Sequence, residues 1–259
     1  MSTVTAPAPL DLSGTPRIGF GRLLLVELRK LVDTRASRWL LISIAAVTAL
    51  IVLIFFLASH QRDRTFSNFT GATGALQSFL LPVLPIMLVT GEWSQRTALT
   101  TFTLVPGRGR VIAAKVVASV LAGLAAVVLA FALAALGAAV GGAPHAFQDF
   151  GAGSFGRFAL LETLGILTGL GFALLFLNSA AAIVVYLVVP IAFSIIANVW
   201  TFLNHAAPWV DLNTAETPLQ DLTTKLDGKD WLHLLTSSLI WIALPFLAGL
   251  WRVLRSEVK

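Results

Sequence analysis

The chain contains no cysteine, which removes disulfide frameworks, thiolate metal sites and thiol redox motifs together. Its only thioethers are Met1 and Met87, too few for a soft-copper path. Charged residues make up 12% of 259 positions and apolar residues 57%, against about 25% and about 45–50% in soluble proteins, so a water-soluble globule is excluded. No Gly-x-x-x-x-Gly-Lys-Ser/Thr phosphate loop occurs, and any ATP must be hydrolysed by another chain. Ser154 lacks a Gly-x-Ser-x-Gly setting, and His60, His145, His205 and His233 are scattered near the ends of apolar runs. Neither a nucleophile with its base nor a metal-ligand set assembles, and no catalytic, cofactor-binding or metal residue is expected.

What the chain has is hydrophobic length. A slab of hydrocarbon about 30 Å thick asks for about twenty apolar residues in a helix, which satisfies its own backbone. Six such spans are predicted, at about 39–59, 71–91, 111–141, 158–177, 180–202 and 231–251, in one all-α transmembrane domain. Pro82 and Pro85 bend the second, Asn178-Ser179 separates the fourth from the fifth, and Trp231 and Trp251 flank the sixth at the interfaces. Residues 1–16 lack a charged start and a cleavable apolar core, and read as a disordered tail; 252–259 form a short tail.

Orientation follows from lysine and arginine. Of 18 such residues, only Arg62, Arg64, Arg157, Lys225 and Lys229 fall on the side opposite the termini, so both termini are expected in the cytoplasm. The net charge of +5 is a topology signal, and no nucleic-acid module accompanies it.

Residues 17–38 show helical periodicity. Phe20, Leu23, Leu24, Leu28 and Leu31 share one side and Arg22, Arg29, Lys30 and Asp33 the other, which predicts an amphipathic helix lying on the inner leaflet ahead of span one. Arg35 follows near its end. Glu27 falls at the edge of the apolar face, paired either with a neighbouring base or with the loop between spans two and three. That loop predicts a second amphipathic helix at about 93–104. Ala98, Leu99 and Phe102 lie on one face and Arg96, Thr97, Thr100 and Thr103 on the other; Pro106-Gly107 ends it, and Arg108, Arg110 and Lys115 anchor span three at phosphate level.

The run Glu27-Leu28-Arg29-Lys30-Leu31 with Arg35, then Gly91-Glu92, Arg96-Thr97, Pro106, Arg108, Arg110 and Ala114-Lys115, resembles the permease subunits of bacterial ABC-2 type ATP-binding cassette transporters over nearly the whole chain. The resemblance implies a multi-pass protein of the bacterial inner membrane, most often an exporter. It implies two cytoplasmic ATPase subunits that carry ATP and magnesium, and a homodimer or a heterodimer with a second permease. It makes the loop helix a coupling helix, with Glu92, Arg96, Leu99, Phe102, Pro106, Arg108 and Lys115 as coupling residues. The neutral Leu177-Asn178-Ser179 turn departs from the family, which often places a base there. An ion-coupled secondary transporter and a non-transporting scaffold or immunity protein are the competing readings.

Within the membrane, Tyr186, Pro190, Ser194 and Asn198 recur every four residues. With Gln77 and Phe79 they either line a pathway or serve as hydrogen-bonding glue between helices. Glu162 is the one acid inside a span, and Arg157 is its expected partner. In the 204–230 segment, Thr217-Pro218 is expected to open a short helix that ends at Gly228.

Overall fold

The computed structural model describes residues 18–105, 107–148, 150–199, 201–221 and 225–255. The tail expected at 1–16, Pro106 and residues 256–259 lie outside this set. Within it the chain is helical, with no strand: α1 Phe20–Asp33, α2 Arg35–Ala58, α3 Phe66–Leu80, α4 Val83–Ser94, α5 Ala98–Leu104, α6 Arg108–Gly141, α7 Ala152–Phe176, α8 Ser179–Val199, α9 Thr201–Val210, α10 Leu212–Gln220, α11 Gly228–Ser238 and α12 Leu244–Arg255. Six segments are long and apolar enough to cross a membrane: α2, α3 with α4, α6, α7, α8, and α11 with α12.

The continuous helix expected over 17–38 is broken at Thr34. This residue is extended, and its Oγ1 accepts the Ser37 N–H at 3.4 Å; a threonine N-cap closes one helix and opens the next. Arg35 and Arg38 therefore belong to the first span. Span two is two helices, because Pro82 cannot donate a backbone N–H. Pro85 sits in the first turn of α4, where no intrahelical donor is needed. The joint rests on α7: a Cβ placed at Gly169 would stand 2.5 Å from the Pro82 carbonyl oxygen, so only glycine permits this approach. The same holds where α12 crosses α7, with a Cβ at Gly249 falling 2.6 Å from the Leu174 carbonyl carbon.

The 34-residue α6 is about 51 Å long at the α-helical rise and ends at Gly142, whose φ of 64° is left-handed. Leu177, at φ 53°, turns the chain from α7 to α8, and the Asn178 side chain accepts the Ala181 N–H at 3.0 Å.

The segment between spans five and six departs from expectation. It is a helical hairpin, α9 and α10, joined at Asp211, whose carboxylate caps α10 by accepting from Thr214 N at 3.2 Å and Thr214 Oγ1 at 2.6 Å. This cap starts the helix five residues before Thr217-Pro218, and Pro218 lies inside α10. Gly228 begins α11 instead of stopping a helix, since Asp227 and Asp230 form a reciprocal capping box there. Leu212, Ala215 and Leu219 are buried, and the last two pack with Leu161 and Leu234. The last span is interrupted by one π-helical turn, Leu239–Ala243, from which Trp241 Nε1 donates to the Val210 carbonyl at 2.6 Å.

Both ends of the described chain meet at one end of the bundle. Arg110 donates to the Ile18 carbonyl and Arg108 to that of Val253, each at 2.8 Å. This is termed the terminal end below.

Candidate functional site

Near the terminal end, α1, α4 and α6 converge on four charged side chains. Lys115 Nζ stands 2.7 Å from Glu27 Oε2 and 2.9 Å from Glu92 Oε1. Lys30 Nζ stands 2.7 Å from Glu27 Oε1 and 2.5 Å from Glu92 Oε1. Each acid thus meets two bases and each base two acids, and the quartet is neutral. Lys115 is 1%, Glu27 3% and Glu92 8% exposed. Lys115 also donates to the Leu88 carbonyl at 3.3 Å.

Burial of this kind demands mutual compensation, since an isolated charge out of water costs several kcal/mol. Burial on its own lowers the Lys30 pKa, but Glu92 and Glu27 outweigh it and hold the ammonium above its usual value. Two expectations are corrected here. Glu27 lies in the middle of the buried face of α1, beside Leu23 and Leu31, because two lysines compensate it. Lys115, expected beside Arg108 and Arg110 as an anchor of span three, lies inside the bundle, held by two acids.

The quartet stands directly behind the loop between spans two and three. The helix expected over 93–104 begins instead at Ala98, and Trp93 belongs to span two. α4 ends in a Schellman turn, with Arg96 N–H donating to Trp93 O at 3.2 Å and Thr97 N–H to Glu92 O at 2.9 Å. The turn puts Arg96 at φ 57°, a left-handed conformation that costs a non-glycine residue about 1–2 kcal/mol.

In α5, Ala98 and Phe102 point inward and are buried. Phe102 meets Trp93 at 6.4 Å between ring centroids and carries the Arg108 guanidinium 5.2 Å above its ring. Leu99, expected on that same face, is 48% exposed, because the short helix turns only Ala98 and Phe102 toward the bundle. Of the expected coupling residues, Arg96 and Leu99 face outward, Glu92, Phe102 and Lys115 are buried, Arg108 is half-buried and Pro106 lies outside the described residues. Arg29 and Arg35 are exposed. A groove of about 640 Å³ runs beside the quartet, lined among others by Lys30, Arg35, Glu92, Gln95, Thr100 and Ser179.

The residues expected to line a pathway separate. Gln77 is buried glue, donating to Thr48 Oγ1 at 3.1 Å and to the Ala126 carbonyl at 3.4 Å. Phe79, Tyr186 and Pro190 line a cavity of about 410 Å³ bounded by α3, α7, α8 and α10. Ser194 is half-buried on α8 outside this lining, and the Asn198 side chain lies outside the described set.

Glu162 does not bond to Arg157. Neither of its carboxylate oxygens has a hydrogen-bond partner, while Arg157 donates to the Asp221 carbonyl at 2.8 Å. Glu216, which also lines the cavity, was missed from the sequence. Its signal was present, since Leu212, Ala215 and Leu219 define an apolar helical stripe on which position 216 falls. Among the described residues, no three His, Cys, Asp or Glu side chains could hold a metal ion. Compared with protein-family models and with curated proteins, the chain matches none.

Proposed function

We propose that the chain is the permease subunit of an ABC-2 type transporter in a bacterial inner membrane. In this reading both termini are cytoplasmic, two cytoplasmic ATPase subunits supply the work, and a second permease, identical or not, completes the pathway. ATP and magnesium belong to the ATPases, and export is the direction the resemblance implies. α1 lies at the inner leaflet, where its exposed Leu25, Val26 and Val32 meet the headgroup boundary and its bases meet anionic lipid.

The observation that carries the reading is the two-sidedness of α5. Its outer side offers Leu99, Thr100 and Thr103 beside Arg96, a small mixed surface suited to a soluble partner. Its inner side is fixed through Phe102 and Arg108, immediately next to the ion quartet that ties α1 to spans two and three. A push on α5 therefore reaches span two through the packing of Phe102 on Trp93 and span three through Arg108, which is what a subunit driven from outside requires.

Co-purification with candidate ATPases tests this. Hypothesis: Arg96→Glu with Leu99→Glu abolishes the complex and ATP-driven transport while membrane insertion and thermal stability stay at the parent level. An undiminished complex would remove α5 from the docking role. The buried Glu162 and Glu216 favour one rival reading, an ion-coupled secondary transporter. Transport in vesicles that persists without ATP under a proton gradient would replace the permease reading with that one.

A further inference from the structure

The cavity bounded by α3, α7, α8 and α10 has a composition that selects its occupant. Its volume of about 410 Å³ falls in the range of small-molecule pockets, about 300–1,000 Å³. Phe79, Phe158, Tyr186 and Trp241 supply aromatic walls. Phe79 and Ile191 on its lip are half exposed, so it is open on the face formed by α3 and α8.

Several polar groups of the lining are already satisfied. Thr70 donates to the Phe66 carbonyl at 3.0 Å, Thr168 to that of Leu164 at 2.8 Å and Tyr186 to that of Ser78 at 2.7 Å. Of its carboxylates, Asp211 accepts from Thr214, whereas Glu216 is not satisfied. Glu216 is 9% exposed and its Oε1 has no partner; Glu162, outside the lining, is 2% exposed and neither oxygen has one. The two are near enough for the charge of each to act on Tyr186, and that of Glu216 to act on Glu162. Buried acceptors without donors are costly and call for an explanation.

We propose that this cavity binds an apolar organic cation with a protonated amine that donates to Glu216 in the field of the nearby Glu162, its charge lying among the rings of Tyr186, Trp241 and Phe79. An ammonium supplies what the site lacks, donors and positive charge, and aromatic rings favour cations over neutral isosteres. A neutral lipid chain would fill the volume but leave the carboxylates unanswered. A bare metal ion would need more acid or imidazole ligands than are gathered here. The binding claim stands on the cavity alone; that the cation is cargo rests on the permease reading.

The test uses the full chain in phosphatidylcholine nanodiscs, whose neutral surface does not itself concentrate amines. Dansylcadaverine, with a free primary amine, is titrated against its N-acetyl derivative, which keeps the fluorophore and loses the charge; energy transfer from tryptophan reports binding. The expected result is saturable binding of the amine, about tenfold or more weaker binding of the acetylated probe, and about tenfold weaker amine binding in Glu216→Gln and Glu162→Gln. Equal binding of the two probes, or unchanged binding in both variants, overturns the proposal. Where a variant fails to give a monodisperse sample, the comparison of probes on the parent decides alone. No ATPase is present in this assay, so failure of the site and failure of the permease reading are separate results.

Discussion

Removing one member of the quartet should cost more than removing two. Lys115→Met leaves Glu27 and Glu92 sharing Lys30 alone, a net charge of −1 in a site where both acids are almost fully buried. At 2.7 Å and an effective dielectric of 20, one such contact is worth roughly 6 kcal/mol before desolvation is subtracted. Breaking a buried pair from one side typically costs about 3–5 kcal/mol. For a chain of this size that corresponds to a fall of about 6–20 °C in apparent melting temperature. Pairing Lys115→Met with Glu27→Gln restores neutrality, because Lys30 and Glu92 remain as a pair at 2.5 Å. The double variant should therefore recover at least half of the Lys115→Met loss, about 1.5–2.5 kcal/mol or more. The assay is fluorescence-detected size exclusion after a heat ramp, in one detergent for parent, both single variants and the double. A Lys115→Met protein within 2 °C of the parent (about 1 kcal/mol or less), or a double variant no more stable than the single, would refute the claim that the four charges act as one unit.

Arg96→Gly should leave stability unchanged or raise it by up to about 1 kcal/mol, since glycine adopts φ 57° without strain, yet it should weaken ATPase co-purification; a stable variant with a full complex would show that the Arg96 side chain is not part of the contact. Gly249→Ala forces a Cβ against the Leu174 and Leu175 backbone at 2.6 Å and should cost about 1–3 kcal/mol, read in the same heat ramp. Glu216, raised to about 8 by burial and then by Asp211, gives stability its pH dependence. With no cation in the cavity, the folded state holds this proton between about pH 4.5 and 8 while the unfolded state has lost it, so stability falls across that window and is flat above it. The groups facing Glu216 are Asp211, Glu162 of α7 and Tyr186 of α8, while His233 of α11 is turned to Trp209. Glu216→Gln should therefore flatten the difference in melting temperature between pH 5 and pH 8.5, by an amount equivalent to several kcal/mol; parallel profiles would contradict it.

The spans were legible because hydrocarbon thickness imposes one scale on the sequence, and six helices of that kind are present. What the pattern obscured were side chains whose neighbours are remote in the chain. Lys115 reads like the arginines at positions 108 and 110, and the approach of Glu92 and of Glu27, 88 positions away, makes it a core residue. α5 was drawn too long because Gln95-Arg96 carries no glycine or proline to announce a left-handed turn. The α9–α10 hairpin was hidden for a different reason. Its polar residues, Asp211 and Thr214 among them, serve as caps, and a count of polarity takes caps for loop. Glu162 was given a partner by proximity in sequence, although the helix carries Arg157 away from it to the Asp221 carbonyl.

Span two links the two sites in a way neither reveals alone. Its α3 arm carries Thr70, Ser78 and Phe79 to the cavity, and its α4 arm carries Glu92 to the quartet. The arms are 15 and 12 residues long, or about 22 and 18 Å, and they meet at Pro82 against Gly169. The helical ladder is broken between them, so the arms are two rods that share one bearing on α7. α7 is therefore the surface that both sites share, packed against the arm that leads to each.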